Sequence, residues 1–132
     1  LGRSDQATEF LSPEICLPAV GQGALAVQVR EDDREARDAA ATLEHPATRV
    51  ATEAERAFLR SAGGGCQLPI AALCVFDGTD LSMDAMVANS DGTKVVRGRM
   101  FGPVEDAEGL GTRLFQQLKA QGAEELLAEV EK

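Results

Sequence analysis

Cys66 follows three consecutive glycines, residues 63–65, in a segment that reads GGGCQLPI. Glycine adds no side-chain bulk, so a large group could lie against the backbone at this point. An accessible thiol is a soft nucleophile toward activated carbon and can carry a group through a covalent bond. The same pattern is also typical of a helix C-cap followed by a tight turn, with the cysteine buried as a small apolar residue. Taken alone, the residues favour this plainer interpretation.

The other two cysteines, Cys16 and Cys74, stand among apolar neighbours, and we expect both to be inert packing residues. Three is an odd number, and no C-x-x-C pair occurs, so a disulfide framework is not expected. A reducing compartment suits this content, and we expect a cytoplasmic protein. With a single histidine, His45, the sequence predicts no metal site. His45 precedes Pro46 and is expected to be an ordinary exposed residue rather than a general base.

The balance of 13 basic against 22 acidic residues gives a net charge of −9. Such a surface repels phosphate backbones, so nucleic acid is not an expected partner. No apolar run approaches the roughly 20 residues that span a bilayer, so no membrane partner is expected either. The first ten residues are polar and lack the apolar core of a signal peptide. We therefore expect a piece of a longer cytosolic protein.

The arginines are expected to be structural or solvated. Arg56 follows Glu53 and Glu55 on a predicted helix, where acid–base pairs are common on the exposed face. Arg97 and Arg99 alternate along a predicted strand and are expected to face solvent, so neither is given weight as a ligand.

The elements that must position these residues fall into two groups. In the first, residues 24–29 are almost continuously apolar and predict a buried strand. Asp32 or Asp33 then caps a helix that carries Ala36, Ala39, Ala40 and Leu43 on one side. His45 and Pro46 end this group and mark the expected domain boundary.

From Pro46 onward the pattern predicts a helix to about Arg60, three strands and two further helices. The strands are expected over residues 70–76, 81–87 and 95–101, with a hairpin turn at residues 89–92. The helices are expected over residues 105–120 and from Ala123 to about Val130. The fold class is therefore α+β, with helices packed on one face of a three-stranded antiparallel sheet.

Three segments together resemble the porphobilinogen deaminase family. Residues 17–24 read LPAVGQGA, residues 55–59 read ERAFL, and residues 64–70 read GGCQLPI, which is similar to the family's GGCQVPI cofactor loop. They occur in the family's order and at its separations, and the similarity covers most of the chain. Gly63 departs from the family pattern and should loosen the loop without removing the thiol.

The resemblance implies a specific cofactor and reaction. Cys66 would carry dipyrromethane through a thioether, and this cofactor would prime the joining of four porphobilinogen units, with loss of ammonia, into hydroxymethylbilane. Gln22, Gly23 and Gly65 would lie beside the cofactor and the growing pyrrole chain; for Gln22 and Gly23 the alternative is a simple turn at the entry to a strand. The family's aspartate and arginine cluster lie in its first two domains, so no catalytic residue is expected in this chain, and the chain by itself is expected to be inactive.

The resemblance also implies a domain division and partners. Residues 1–16 would be the linker from the missing second domain, residues 17–43 a returning strand and helix of the first domain, and residues 46–132 the C-terminal cofactor-attachment domain. The partners would be porphobilinogen, the growing chain and the missing N-terminal domains, within a monomeric enzyme. The alternatives are a non-catalytic binding domain with an incidental glycine-rich loop and a thiol-redox protein. The second is disfavoured because no resolving cysteine stands near Cys66.

Overall fold

The computed structural model describes residues 2–65 and 68–130. Its centre is a three-stranded antiparallel sheet in the order β1-β2-β3, formed by β1 (Ile70–Phe76), β2 (Asp80–Ala88) and β3 (Val95–Pro103). The register places Asp84 of β2 between Leu73 of β1 and Arg99 of β3. The three strands and the predicted turn are confirmed, and in that turn Gly92 N–H donates to the carbonyl of Asn89 at 3.1 Å.

Helices cover one face of the sheet. They are α2 (Pro46–Ser61), α3 (Ala107–Lys119) and α4 (Ala123–Val130), and a 3₁₀ turn over Val104–Asp106 precedes α3. Every second residue of a strand points to the same face, so one set of strand side chains meets these helices and the other set lies on the open face. The α+β prediction is confirmed. The fully buried side chains of the core include Phe58, Leu81, Met83, Val87, Leu110, Leu114 and Leu118.

The helix α2 lies in close contact with α3. Phe58 of α2 and Phe115 of α3 meet edge to face, with ring centroids 5.6 Å apart. A Cβ built on Gly111 would lie 2.0 Å from the carbonyl oxygen of Ala54, so the two backbones approach at a distance that only glycine allows. This crossing fixes α2, whose C-terminal end leads into the glycine-rich loop.

The N-terminal third contributes little to the core. Its one α-helix, α1 (Arg34–Ala41), has no buried residue and is capped by the side chain of Asp33, which accepts from Ala36 N–H at 3.0 Å. Residues 24–29, all of them described, form no strand, so the expectation of a buried strand there is wrong for this chain. Leu25 is 98% exposed and Val27 is 62% exposed. A strand needs a hydrogen-bonded neighbour, and the described chain places none beside this segment.

None of the described helices is long and apolar enough to cross a membrane.

Candidate functional site

The glycine-rich loop connects the end of α2 to the start of β1. Gly63 and Gly64 donate their N–H groups to the carbonyls of Arg60 and Leu59, which closes the helix. All three glycines have positive φ, at 100° for Gly63, 62° for Gly64 and 148° for Gly65. Residues that carry a side chain rarely adopt these backbone conformations, so the turn itself requires the glycines.

The loop also leaves room around it. Among the described residues, and leaving out each glycine's chain neighbours, a Cβ on Gly63 or Gly64 would meet no atom within 4 Å, and one on Gly65 would meet the side chain of Leu68 at 3.8 Å. Cys66 lies outside the described residues, so its role stays a prediction. The described backbone that leads to Cys66 leaves room for a bulky group.

A second tight turn carries the predicted contacts Gln22 and Gly23. Gln22 N–H donates to Ala19 O at 3.0 Å, and Ala24 N–H donates to Gly21 O at 3.1 Å. Gly21 and Gly23 have φ of 70° and 83°, so this turn also needs its glycines. Gln22 and Gly23 are exposed and available for a ligand.

Glu55 joins this turn to the sheet, and sequence reasoning missed it. Its side chain is buried, yet both carboxylate oxygens are satisfied. One oxygen accepts from Gly21 N–H at 2.7 Å, and the other accepts from Cys74 N–H at 2.8 Å. Burial raises the pKa of Glu55, and the two N–H donors act against that rise. One side chain of α2 thus holds the Gly21 turn against the outer edge of β1.

The signal for Glu55 was present in the sequence. It stands four residues after Ala51 and three residues before Phe58, both of which pack in or against the core. An acidic residue on the apolar face of a helix requires buried donors.

A groove of about 370 Å³ lies beside the Gly21 turn. The turn, α2 and the outer edge of β1 line it, and Glu55 and Cys74 are among its residues. Burial, followed by the nearby Glu55 charge, raises the pKa of Cys74 to about 12. The Cys74 thiol therefore stays protonated at neutral pH and is a poor nucleophile. Its predicted burial is confirmed.

Cys16 differs from the prediction. It is exposed, because residues 12–16 form a surface turn in which Cys16 N–H donates to Ser12 O at 2.9 Å. Its apolar neighbour Ile15 is also exposed. Apolar neighbours in the sequence do not ensure burial here, because the turn that holds Ile15 and Cys16 lies outside the core.

His45 and the arginines also have definite positions. His45 is exposed, as expected, but it caps α2, since its Nδ1 accepts from Thr48 N–H at 3.3 Å. Arg56 is exposed on α2, which agrees with a structural or solvated role. Arg99 pairs with Asp84 at 2.6 Å. Arg97 was expected only to face solvent, but it also donates hydrogen bonds to two backbone carbonyls of the N-terminal segment.

Within the described ranges, no group of three or more histidine, cysteine, aspartate or glutamate side chains could hold a metal ion. The chemistry that the described residues offer is therefore hydrogen bonding and shape: two glycine turns, an exposed Gln22, and a buried carboxylate that fixes one turn to β1.

Two family models match the chain. The model described as "Porphobilinogen deaminase, C-terminal domain" matches residues 50–120. The model described as "Porphobilinogen deaminase, dipyromethane cofactor binding domain" matches residues 1–38. The first match contains Cys66, and the second contains Gln22 and Gly23.

Curated relatives named porphobilinogen deaminase align over most of the chain. One from Geobacter metallireducens is 47% identical over 130 residues, which is 98% of this chain and 41% of the relative. One from Moorella thermoacetica is 47% identical over 88% of this chain and 37% of the relative. One from a Synechococcus species is 43% identical over 98% of this chain and 41% of the relative. The chain thus spans well under half the length of these relatives.

Proposed function

The chain belongs to the porphobilinogen deaminase family, and from that premise we propose that it is the C-terminal part of such an enzyme, with dipyrromethane attached through a thioether to Cys66. The complete enzyme would be a cytoplasmic, monomeric transferase of tetrapyrrole biosynthesis that joins four porphobilinogen units, with loss of ammonia, into hydroxymethylbilane. The relatives' printed names support this reaction class.

One observation carries the proposal: the open glycine loop next to Cys66. Three glycines with positive φ lead directly to the cysteine, and no atom of the described residues beyond their chain neighbours lies within 4 Å of the Cβ positions at Gly63 and Gly64. A two-ring pyrrole group on the sulfur would need this space. When bound, dipyrromethane would supply the free pyrrole carbon from which the chain of rings grows.

The residues of this chain would hold and orient that group. The Cys66 sulfur would anchor it, and Gly65 would let it pass close to the backbone. Gln22 would offer an amide oxygen to pyrrole N–H groups, and its own N–H₂ to carboxylates. Gly23 would allow close approach beside it. Glu55 would act indirectly, because it fixes the Gly21 turn against β1.

This chain cannot supply every group that the reaction requires. The acetate and propionate groups of the pyrrole chain call for an array of guanidinium groups, preferably in bidentate pairs. With a net charge of −9, the chain alone is poorly suited to a polyanionic product. We therefore propose that the aspartate and the arginine cluster come from the remainder of the protein, and that residues 17–43 pack there while residues 46–132 form the cofactor-attachment domain.

The test is the intact mass of the complete protein that contains this chain. We expect a dipyrromethane adduct on wild type and none on Cys66→Ser, because a serine hydroxyl is a much weaker nucleophile. Cys16→Ala and Cys74→Ala are the matched controls. Both should keep the adduct and most of the activity, with a stability cost of roughly 1 kcal/mol for the buried Cys74.

An adduct retained on Cys66→Ser would refute the attachment site. An unmodified thiol in folded wild-type protein would favour the plain binding-domain interpretation, and a mixed disulfide would favour redox chemistry. A colour reaction with an aldehyde reagent for pyrroles gives an independent readout.

A further inference from the structure

Residues 13–21, here called the strap, are hydrogen-bonded to the sheet unit at both ends. At the first end, the two terminal nitrogens of Arg97 donate to Glu14 O at 2.9 Å and Pro13 O at 3.1 Å. Further along, Ala72 N–H donates to Pro18 O at 3.0 Å. At the last residue, Gly21 N–H donates to Glu55. Residues of β3, β1 and α2 thus hold one short segment.

Arg97 projects from the open face of the sheet. Its neighbour Val96 and, further along β3, Met100 pack against the core, so the alternation of the strand turns Arg97 and Arg99 the other way. Asp84 of β2 lies on the same face and is 17% exposed. Its carboxylate lies 2.6 Å from Arg99 and 3.7 Å from Arg97. Asp84 therefore orients both guanidinium groups.

The strap reaches from one edge strand of the sheet to the other. Arg97 is on β3, whereas Ala72 is on β1, and β2 lies between them. Two strand spacings amount to about 10 Å. The four residues from Glu14 to Pro18 can extend to about 14 Å, so the segment is long enough to pass from β3 to β1.

We propose that Arg97 is a positioning residue for the Gln22–Gly23 turn. By binding two successive carbonyls, it sets the register of the strap, and the strap in turn places the turn against β1 and Glu55. Only the consequence for catalysis rests on the proposed function. The coupling between Arg97 and the β1 edge stands apart from it.

The planar guanidinium group suits this role. It presents two parallel donors to neighbouring acceptors, whereas a lysine ammonium group is a compact point charge. Arg99 provides the matched control, since it lies on the same strand and the same face and pairs with the same Asp84, while its described hydrogen bond goes to Asp84 and not to the strap.

Amide hydrogen exchange in the 132-residue chain tests the coupling directly. In Arg97→Ala, we expect the amides of Ala72 and Gly21 to exchange about tenfold faster, since the strap loses two charge-assisted hydrogen bonds. These amides lie on β1 and on the strap, away from the substituted strand. Arg99→Ala should leave both unchanged. Arg97→Lys should fall between wild type and Arg97→Ala.

A general weakening of the sheet would look different, because amides between β2 and β3 would then exchange faster in both variants. That result, or unchanged exchange at Ala72 in Arg97→Ala, would overturn the proposal. If Arg97→Ala fails to fold, Arg97→Gln replaces it, because glutamine keeps much of the aliphatic stem. Hydrogen exchange is then measured at the same amides.

The complete protein supplies the second readout. There we expect Arg97→Ala to lower kcat about tenfold with the cofactor mass retained, because a misplaced contact slows the reaction without removing the anchor. Arg99→Ala should keep the wild-type kcat. If exchange at Ala72 responds but the wild-type protein has no deaminase activity, the proposed function fails and the coupling stands. Unchanged kcat in an active Arg97→Ala enzyme would refute the catalytic consequence.

Discussion

Glu55 shows how a single buried side chain can join parts of the chain that are distant in sequence. Its partners are Gly21, 34 residues earlier, and Cys74, 19 residues later. The Cys74 N–H points away from β2, at the outer edge of β1, where an unpaired donor would otherwise be available to another strand. The carboxylate therefore closes part of this edge while it fixes the Gly21 turn.

We predict that Glu55→Gln changes the pH dependence of stability. Because the pKa of Glu55 is raised in the folded state, the folded protein binds the proton more tightly than the unfolded chain does. The contribution of Glu55 to stability is then fully present below its unfolded pKa, near 4.5, and is lost as pH rises through the folded pKa. Glutamine does not titrate and should lack this loss.

Urea unfolding of both proteins between pH 4 and pH 7 measures the effect. The free energy of unfolding of wild type, relative to Glu55→Gln, should fall as pH rises over this window. The glutamine side chain keeps only one acceptor, so one N–H loses its partner at a cost of roughly 1–3 kcal/mol. If wild type instead becomes more stable relative to Glu55→Gln as pH rises, the two N–H donors outweigh burial in setting the pKa of Glu55.

At the scale of elements, the sequence predicted the C-terminal unit well and the N-terminal segment poorly. The strands and α2–α4 carry clear apolar periodicity, and they pack on one another, so pattern and environment agree. Residues 24–29 carry an equally clear apolar pattern, but a pattern states which residues seek burial and not whether a partner strand is present. The exposure of Leu25 and Val27 is the consequence.

Candidate site residues divide in the same way. The two glycine turns could be predicted from composition because glycine is required by a backbone conformation that is local. The contacts of Glu55 and Arg97 could not be predicted, because their partners are distant in sequence. Gly21 and Cys74 lie 34 and 19 residues from Glu55, and Glu14 and Pro13 lie 83 and 84 residues from Arg97. Such pairings depend on the three-dimensional path of the strap.

The crossing of α2 and α3 gives a prediction about stability. We expect Gly111→Ala to destabilise the fold by about 1–3 kcal/mol, because the new methyl group would overlap the Ala54 carbonyl and force the helices apart. This cost should exceed the small gain in helix propensity from glycine to alanine. Thermal unfolding measures it, with Thr112→Ala, an exposed substitution one residue away, as the control. Equal stability of Gly111→Ala and wild type would show that the helices can separate without cost.

At the scale of the whole molecule, burial is concentrated after Pro46. Among residues 2–65 and 68–130, the buried hydrophobic residues all lie between Ala54 and Leu127. The earlier segment carries Phe10, Leu11, Ile15, Leu25 and Val27 as exposed apolar side chains. An exposed apolar surface of this kind is typical of a surface that packs against another part of a protein. The matched relatives are more than twice as long as this chain, which agrees with such a packing partner.

We therefore predict that limited proteolysis of the 132-residue chain cuts near residues 44–47 and leaves the downstream piece intact. A protease needs a locally unfolded backbone, and α1 and the residues around it lack the buried contacts that would resist opening. By the same division, the purified chain should not turn over porphobilinogen, whereas adding the N-terminal remainder of the protein should restore turnover and protect residues 24–29 from cleavage. Preferred cleavage inside residues 70–101 would place the boundary elsewhere. Turnover by the chain alone would show that the groups binding the pyrrole carboxylates lie within these 132 residues. The first candidates to substitute would then be Arg37, Arg49 and Arg56, because these three arginines line one open groove.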